Sequence, residues 1–259
     1  MDLRRKLTPA STADKCGHPH TGRAQTEHAE GSDEMAEQTK TRRSRRAPLT
    51  RPRVLRAALA LADAGGHEAL TMRNLGKKLG VEAMSLYNHV ANKEDLLDGL
   101  VDIVFSEIEV PSPGEVDWRS AMRRRAISVR EALNRHRWAV GLMEGRMNPG
   151  PASLRNHDAV MGCLRQAGFS FRGAVHALSV MDAYIYGFAL QETNLPFDTP
   201  DQVSEVMEMQ RRHVPDMADY PYLVEVATEM AKAGYDYATE FEFGLDLILD
   251  ALERFRAGA

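Results

Sequence analysis

The sequence predicts an all-α protein in two parts: a small N-terminal helix-turn-helix unit, and a larger helical region joined to it by a long fourth helix. Three observations carry that prediction. Apolar residues recur three and four apart through most of the chain, no segment alternates apolar and polar residues as a half-buried strand does, and capping residues punctuate the periodic runs.

The first helix is read from RPRVLRAALALADAGG, where Val54, Leu55, Ala58, Leu59 and Ala62 share one face. Pro52 stands where a missing N–H costs little, and Gly65-Gly66 ends the run. Thr71 is an N-cap for the second helix, MRNLGKKL, and Gly80 is its left-handed stop. EAMSLYNHV is expected to form a third helix running on to Val90. Asn92 then caps KEDLLDGLVDIVFSEI, whose Glu94 and Asp95 suit the positive end of a helix dipole. The Pro/Gly break VPSPGEVDW sets the domain boundary, giving residues 47–108 and 109–259. Beyond it helices are expected at Trp118 to Arg135, Ala139 to Glu144, Ala152 to Ala167, Arg172 to Thr193, Tyr220 to Gly234 and Tyr237 to Arg256, with an irregular stretch at 201–213.

Composition narrows what this fold does. With 259 residues, 43% of them hydrophobic, the chain can bury a sizeable core. No run of about 18 apolar residues and no secretory leader is present, so no membrane partner and a cytoplasmic location are expected. Cys16 and Cys163 stand in unlike surroundings and make no disulfide framework. CGHPH at 16–20 has no second ligand pair at finger spacing, so no metal site is expected. Residues 1–46 are poor in large apolar residues and read as a disordered basic tail. Between Gln38 and Ala62 there is no acidic residue, while eight Lys and Arg residues make a block that suits contact with phosphates.

Two short helices across a glycine-containing turn, LGKKLGVEAMSLYNHV, have the form of a helix-turn-helix, whose second helix enters the major groove of DNA. Leu86 and Val90 would face a core made with Leu59, Leu70, Leu75 and Leu79. Ala83, Met84, Ser85, Tyr87, Asn88 and His89 then lie on the opposite or flanking faces. Asn can bond base edges, Ser and His can reach bases or phosphates, and Ala or Met can touch a thymine methyl. Lys93, Thr71 and Arg73 are placed to hold backbone phosphates. The same hairpin could instead dock on a protein, as a helical adaptor does. Gly-rich phosphate loops, GxSxG, HExxH and ExxH pairs are absent, so the usual catalytic signatures give no reason to expect an enzyme.

The run LTRPRVLRAALALADAGGHEALTMRNLGKKLGVEAMSLYNHVANKEDLLDGL resembles the N-terminal DNA-binding domain of the tetracycline repressor (TetR) family. VDWRSAMRRRAISVREALNRHR, QAGFSFRGAVHALSVMDAYIYGFALQE and FEFGLDLILDALERF are similar to segments of the C-terminal domain of the tetracycline repressor subgroup. The resemblance implies a homodimer on palindromic double-stranded operator DNA, released by a small-molecule effector. It implies dimerisation through a four-helix bundle, here about 172–193 and 237–256, and DNA contacts at Thr71, Met72, Arg73, Ala83, Met84, Ser85, Tyr87, Asn88, His89 and Lys93. Tyr87, His89 and Lys93 match the family pattern, whereas Ala83, Met84 and Asn88 depart from it and imply a different operator. An activator of the same family is the alternative to a repressor.

The effector region departs further. Met143 and Gln191 stand where the subgroup places its metal-binding His and acidic partner, so neither a magnesium-bound drug nor any cofactor is expected. Arg125 and Val129 fall at two drug-contacting positions. The ligand-binding candidates are Arg125, Val129, Met143, Met147, His157, Met161, Met181, Tyr184 and Gln191. Thirteen Met residues suggest an adaptable apolar cavity for a hydrophobic effector, with an anionic group for Arg125.

Overall fold

The computed structural model describes residues 48–112, 114, 117–143, 145–195, 202, 219–233 and 236–258. The N-terminal tail and most of the stretch at 201–213 lie outside the described residues. From Leu49 onward the chain forms one compact unit. Among the described residues all regular structure is helical. The order is α1 (Arg51–Gly65), α2 (Met72–Leu79), α3 (Ala83–Leu86), α4 (Lys93–Ser106), α5 (Trp118–Arg135), a 3₁₀ turn (Arg137–Ala139), α6 (Pro151–Gln166), α7 (Phe171–Thr193), α8 (Pro221–Ala233) and α9 (Tyr237–Ala257).

Most of the described helices start where an N-cap side chain satisfies a backbone N–H that no helical carbonyl reaches. Thr50 accepts from Arg53 N, Thr71 from Asn74 N, Asn92 from Asp95 N, Asp117 from Ser120 N and Ser170 from Gly173 N. Gly80 closes α2 at φ 68°, a backbone conformation that costs a side-chain-bearing residue about 1 kcal/mol or more.

Two expected helices are shorter than the periodicity suggests. α3 covers only Ala83–Leu86, and Tyr87, Asn88 and His89 continue as a turn. The turn bonds run three residues back, Tyr87 N to Met84 O, Asn88 N to Ser85 O and His89 N to Leu86 O. Four residues cannot sustain an independent helix, so this element exists by packing. The segment expected as a helix from Ala139 to Glu144 is instead the 3₁₀ turn at Arg137–Ala139 followed by irregular turns. Gly141, Gly145 and a Pro149-Gly150 pair within a dozen residues give poor helix propensity there.

Val54, Ala58 and Ala62 of α1 are buried with Leu70, Leu75, Leu86 and Val90, while Leu55, Leu59 and Leu79 are only half-buried against that core. α4 crosses α1 closely: a Cβ on Gly99 would come within 2.7 Å of Leu55 Cδ2. α4 then runs into the larger core, where Leu100, Val104, Met122, Val129, Leu133, Val160, Leu164, Met181, Ile185, Phe241 and Leu245 are buried. α5, α6, α7 and α9 build that core around one another. Among the described residues no helix is long and apolar enough to cross a membrane.

Candidate functional site

The helix-turn-helix holds its short third helix by backbone closeness. Gly76 of α2 is buried, and a Cβ there would lie 2.9 Å from Val81 O and 3.2 Å from Ala83 N. Val81 N donates to Gly76 O at 2.9 Å, so the glycine is where α2 and α3 meet. Leu86 and Val90 point into the core at 0% and 2% exposure, while Met84 on the other side of the turn is 75% exposed and Tyr87 45%. Thr71, Arg73, Asn88 and Lys93 are exposed beside them; Ala83, Ser85 and His89 are half-buried, and Met72 is half-buried against the core. The ten residues expected to meet DNA therefore lie on α2, on α3 and its following turn, and at the start of α4. Ser85 already spends its hydroxyl proton on Glu82 O, at 2.6 Å, and keeps acceptor capacity.

Arg51 and Asp95 tie that surface to α1. Arg51 makes a two-pronged pair with Asp95, at 2.9 and 2.7 Å, and donates to His89 O at 3.1 Å. Asp95 also accepts from Ala91 N at 2.8 Å. The start of α1, the turn after α3 and the start of α4 are thus tied at one carboxylate. The sequence reading placed Arg51 in the phosphate-contacting basic block; in the fold its guanidinium is committed internally. The hydrogen bonds from Arg51 hold the Asp95 carboxyl below its ordinary range, against a smaller opposing effect of burial.

A depressed carboxyl pKa means that the pair contributes above the ordinary carboxylate range and is lost as pH falls through the lowered value. Carbon-detected NMR titration of the Asp95 carboxyl should give a midpoint below that of free aspartate. Asp95→Ala should lower the melting temperature only slightly because the pair is part-exposed, and weaken DNA binding several-fold. An Asp95 midpoint at the ordinary value would remove the pair from this role.

α4 runs from this surface into the larger core and is fastened along its length. Arg146 donates to Asp98 at 2.6 Å and to Glu94 O at 2.9 Å. Asp102 caps α6 by accepting from Ala152 N and Ser153 N at 2.8 and 2.9 Å. Gly150 leaves room for that cap, since a Cβ there would stand 2.2 Å from Asp102 Cγ. At its far end, buried His136 lies between Asp63 of α1, at 2.7 Å, and Glu107, at 3.2 Å, and Trp138 Nε1 donates to the same Asp63 oxygen. Between α4 and α6 is a cavity of about 150 Å³ lined in part by Val101, Phe105, Met143, Ser153 and His157.

The expected ligand residues divide in the fold. Arg125, Val129, Met143 and Met181 are buried, and His157 and Met161 half-buried, among α5, α6, α7 and the loop before α6. His157 bonds Ser153 O through Nδ1 and lies 5.7 Å from the Phe105 ring. Tyr184 turns toward α9, where it donates to Phe241 O at 2.9 Å and stacks on the Phe241 ring. Met147 is 91% exposed. Gln191 is exposed and accepts from Tyr237. Arg125 is not free to meet an anion, as the sequence suggested: Nη1 pairs with Asp182 at 2.9 Å and Nε donates to Asn156 at 3.3 Å. Asn156 and Asp182 were missed, although each is a polar residue interrupting the apolar face of its helix. A Met thioether and a Gln amide do not suit magnesium, which takes carboxylate oxygen and water. Among the described residues no His, Cys, Asp and Glu side chains gather as a metal-binding group.

Comparison with known proteins agrees with this architecture. Residues 54–100 match the family described as bacterial regulatory proteins, tetR family, and residues 110–256 match the tetracyclin repressor-like C-terminal domain. The HTH-type transcriptional repressor DrrR1 of Streptomyces coeruleorubidus is 31% identical over 248 residues, covering 90% of this chain and 91% of that one. The class A tetracycline repressor from transposon 1721 of Escherichia coli is 34% identical over 206 residues, covering 78% and 90%. The structure of ActR from Streptomyces coelicolor in complex with actinorhodin superposes with a TM-score of 0.66 at 30% identity, over 82% of this chain and 98% of that one. With both parts matched in order and the fold shared along nearly the whole length of these relatives, the chain belongs to the TetR family of bacterial transcriptional regulators.

Proposed function

We propose that the protein is a ligand-responsive repressor that binds a palindromic operator as a homodimer and leaves it when a small, largely apolar effector enters the core among α5, α6 and α7. The observation that carries the reading is the exposed face of α3 and its turn, with Met84, Tyr87 and Asn88 outward while Leu86 and Val90 anchor the back. Relatives named as repressors, and ActR in complex with actinorhodin, support repression and the binding of a small molecule.

Two stripes support the dimer. Phe171, Val175, Ser179, Ala183, Gly187 and Leu190 are exposed along one line of α7, and Phe243, Leu247, Ala251 and Phe255 along one line of α9. Large apolar residues at the ends with small ones between let two helices per subunit approach a second copy closely, and burying them removes a large exposed apolar patch from water. The two recognition turns of such a dimer address half-sites related by the same two-fold axis. α4 couples the sites, because it begins at the DNA surface and is bonded at Asp98, Asp102 and Glu107 to elements beside the effector region. A shift of α4 on ligand entry changes the spacing of the two turns, a coupling of about 1–3 kcal/mol.

Selection from a library of randomised DNA duplexes tests this reading. The expected product is a palindrome with half-sites about 10 base pairs apart, or a multiple of one helical turn, bound with an affinity that falls steeply as salt rises. Enrichment of no palindrome, or salt-insensitive retention, overturns it in favour of a helical adaptor.

A further inference from the structure

Three polar side chains from three helices meet inside the larger core. Arg125 of α5 is 1% exposed, Asn156 of α6 is 0% and Asp182 of α7 is 8%. Their neighbours one helical turn away are apolar and buried: Met122 and Val129 flank Arg125, Val160 follows Asn156, and Ile185 follows Asp182. Such a cluster is costly unless every donor has an acceptor. Here the internal bonds are Nη1 to Asp182 and Nε to Asn156 Oδ1. Arg125 Nη2 and Asn156 Nδ2 are buried without an acceptor. Both unmet groups are donors, so whatever completes the cluster brings acceptor oxygen.

The charge of that acceptor follows from the pair already present. The guanidinium is neutralised by Asp182, and a second carboxylate entering beside Asp182 would meet a like charge while losing its own hydration. A neutral carbonyl oxygen accepts from the same donors at far smaller desolvation cost.

We propose that Arg125 Nη2 and Asn156 Nδ2 form the polar subsite of the effector region, specific for a neutral carbonyl oxygen, of the ketone or quinone type, carried on a largely apolar molecule. The proposal rests on the reading of this core as the effector site and sharpens it: recognition comes from surplus donors, with Asp182 serving to hold Arg125 and to turn carboxylates away.

The test compares three probes with a common tricyclic frame on the full chain by calorimetry: 9-fluorenone, fluorene and fluorene-9-carboxylate. Wild-type protein should bind fluorenone at least about tenfold more tightly than fluorene, as hydrogen bonds from a charged donor warrant, and more tightly than the carboxylate. Arg125→Met with Asp182→Leu removes the pair together and so keeps the core unburdened by a lone charge; there fluorenone and fluorene should bind within about twofold of each other. Asn156→Leu should lower the ketone preference several-fold. Absence of fluorenone binding, equal binding of fluorene, a preference for the carboxylate, or a ketone preference that survives the double substitution overturns the proposal. Operator release is measured beside it on the selected duplex. A ketone bound through Arg125 and Asn156 that leaves DNA affinity unchanged overturns the induction mechanism and not the subsite, whereas loss of ketone preference overturns the subsite and not induction.

Discussion

Arg125→Met is expected to lower the unfolding free energy by about 3–5 kcal/mol, because it leaves the Asp182 carboxylate buried without its cation. The side chains of the pair are 1% and 11% exposed, so water cannot replace the lost partner. Met conserves much of the aliphatic volume, which separates the charge effect from a cavity effect. Adding Asp182→Leu should recover most of the loss, since a well-packed apolar pair in this setting is often as stable as the ions. The two effects are then strongly non-additive, and a double-mutant cycle in urea reads the coupling directly. Additive losses would mean that the two side chains do not depend on each other. A surface pair makes the control: Arg123 reaches Glu242 and Asp246 across α5 and α9, but all three side chains are a third or more exposed. Arg123→Met should therefore cost no more than about 1 kcal/mol.

Leu86→Ala is expected to cost about 2–5 kcal/mol and to abolish operator binding at concentrations where the wild-type protein saturates. The side chain is fully buried and is the last residue of a four-residue helix. A helix that short has no stability of its own, so the anchor decides whether the turn keeps its shape. Gly76 and the bond from Val81 N fix one end of α3; Leu86 and the two bonds to its carbonyl, from His89 N and Val90 N, fix the other. Dimerisation should persist, because the stripes on α7 and α9 lie on other helices. Met84→Ala is the contrast, as its side chain is 75% exposed: stability within about 0.5 kcal/mol of wild type, with altered operator preference. Thermal melting, sedimentation and DNA binding on the same samples separate these outcomes, and wild-type operator affinity in Leu86→Ala would refute the anchoring argument.

Much of the DNA-binding unit was legible because its signals are local. Thr71, Gly80 and Asn92 punctuate it as caps, and the apolar spacing of Leu75, Leu86 and Val90 assigns the buried side without any tertiary information. The length of α3 was not legible, since EAMSLYNHV has acceptable helix propensity throughout and only packing decides where it gives way to a turn. The role of Arg51 was hidden for a related reason. In sequence it is one Arg among several, and only the approach of α1 to the start of α4 brings Asp95 under it.

The effector region divides along the same line. Buried Val129, Met143 and Met181 could be expected from apolar periodicity, whereas Met147 and Tyr184 were indistinguishable from them until the loop before α6 turned one outward and α9 took the other as a packing partner. Local information, in the form of caps, breaks and 3.6-residue periodicity, determined that this protein is helical and where its helix-turn-helix lies, while the residue runs LTMRNLGKKLGV and SLYNHVANKEDLL carry the family resemblance. Tertiary structure alone decided which charges are spent on each other, because pairing depends on distances between residues far apart in the chain, such as Arg51 with Asp95, 44 positions on, and Arg125 with Asp182, 57 positions on. That pairing turns Arg125 from a free cation into a neutralised donor with one nitrogen still unmet.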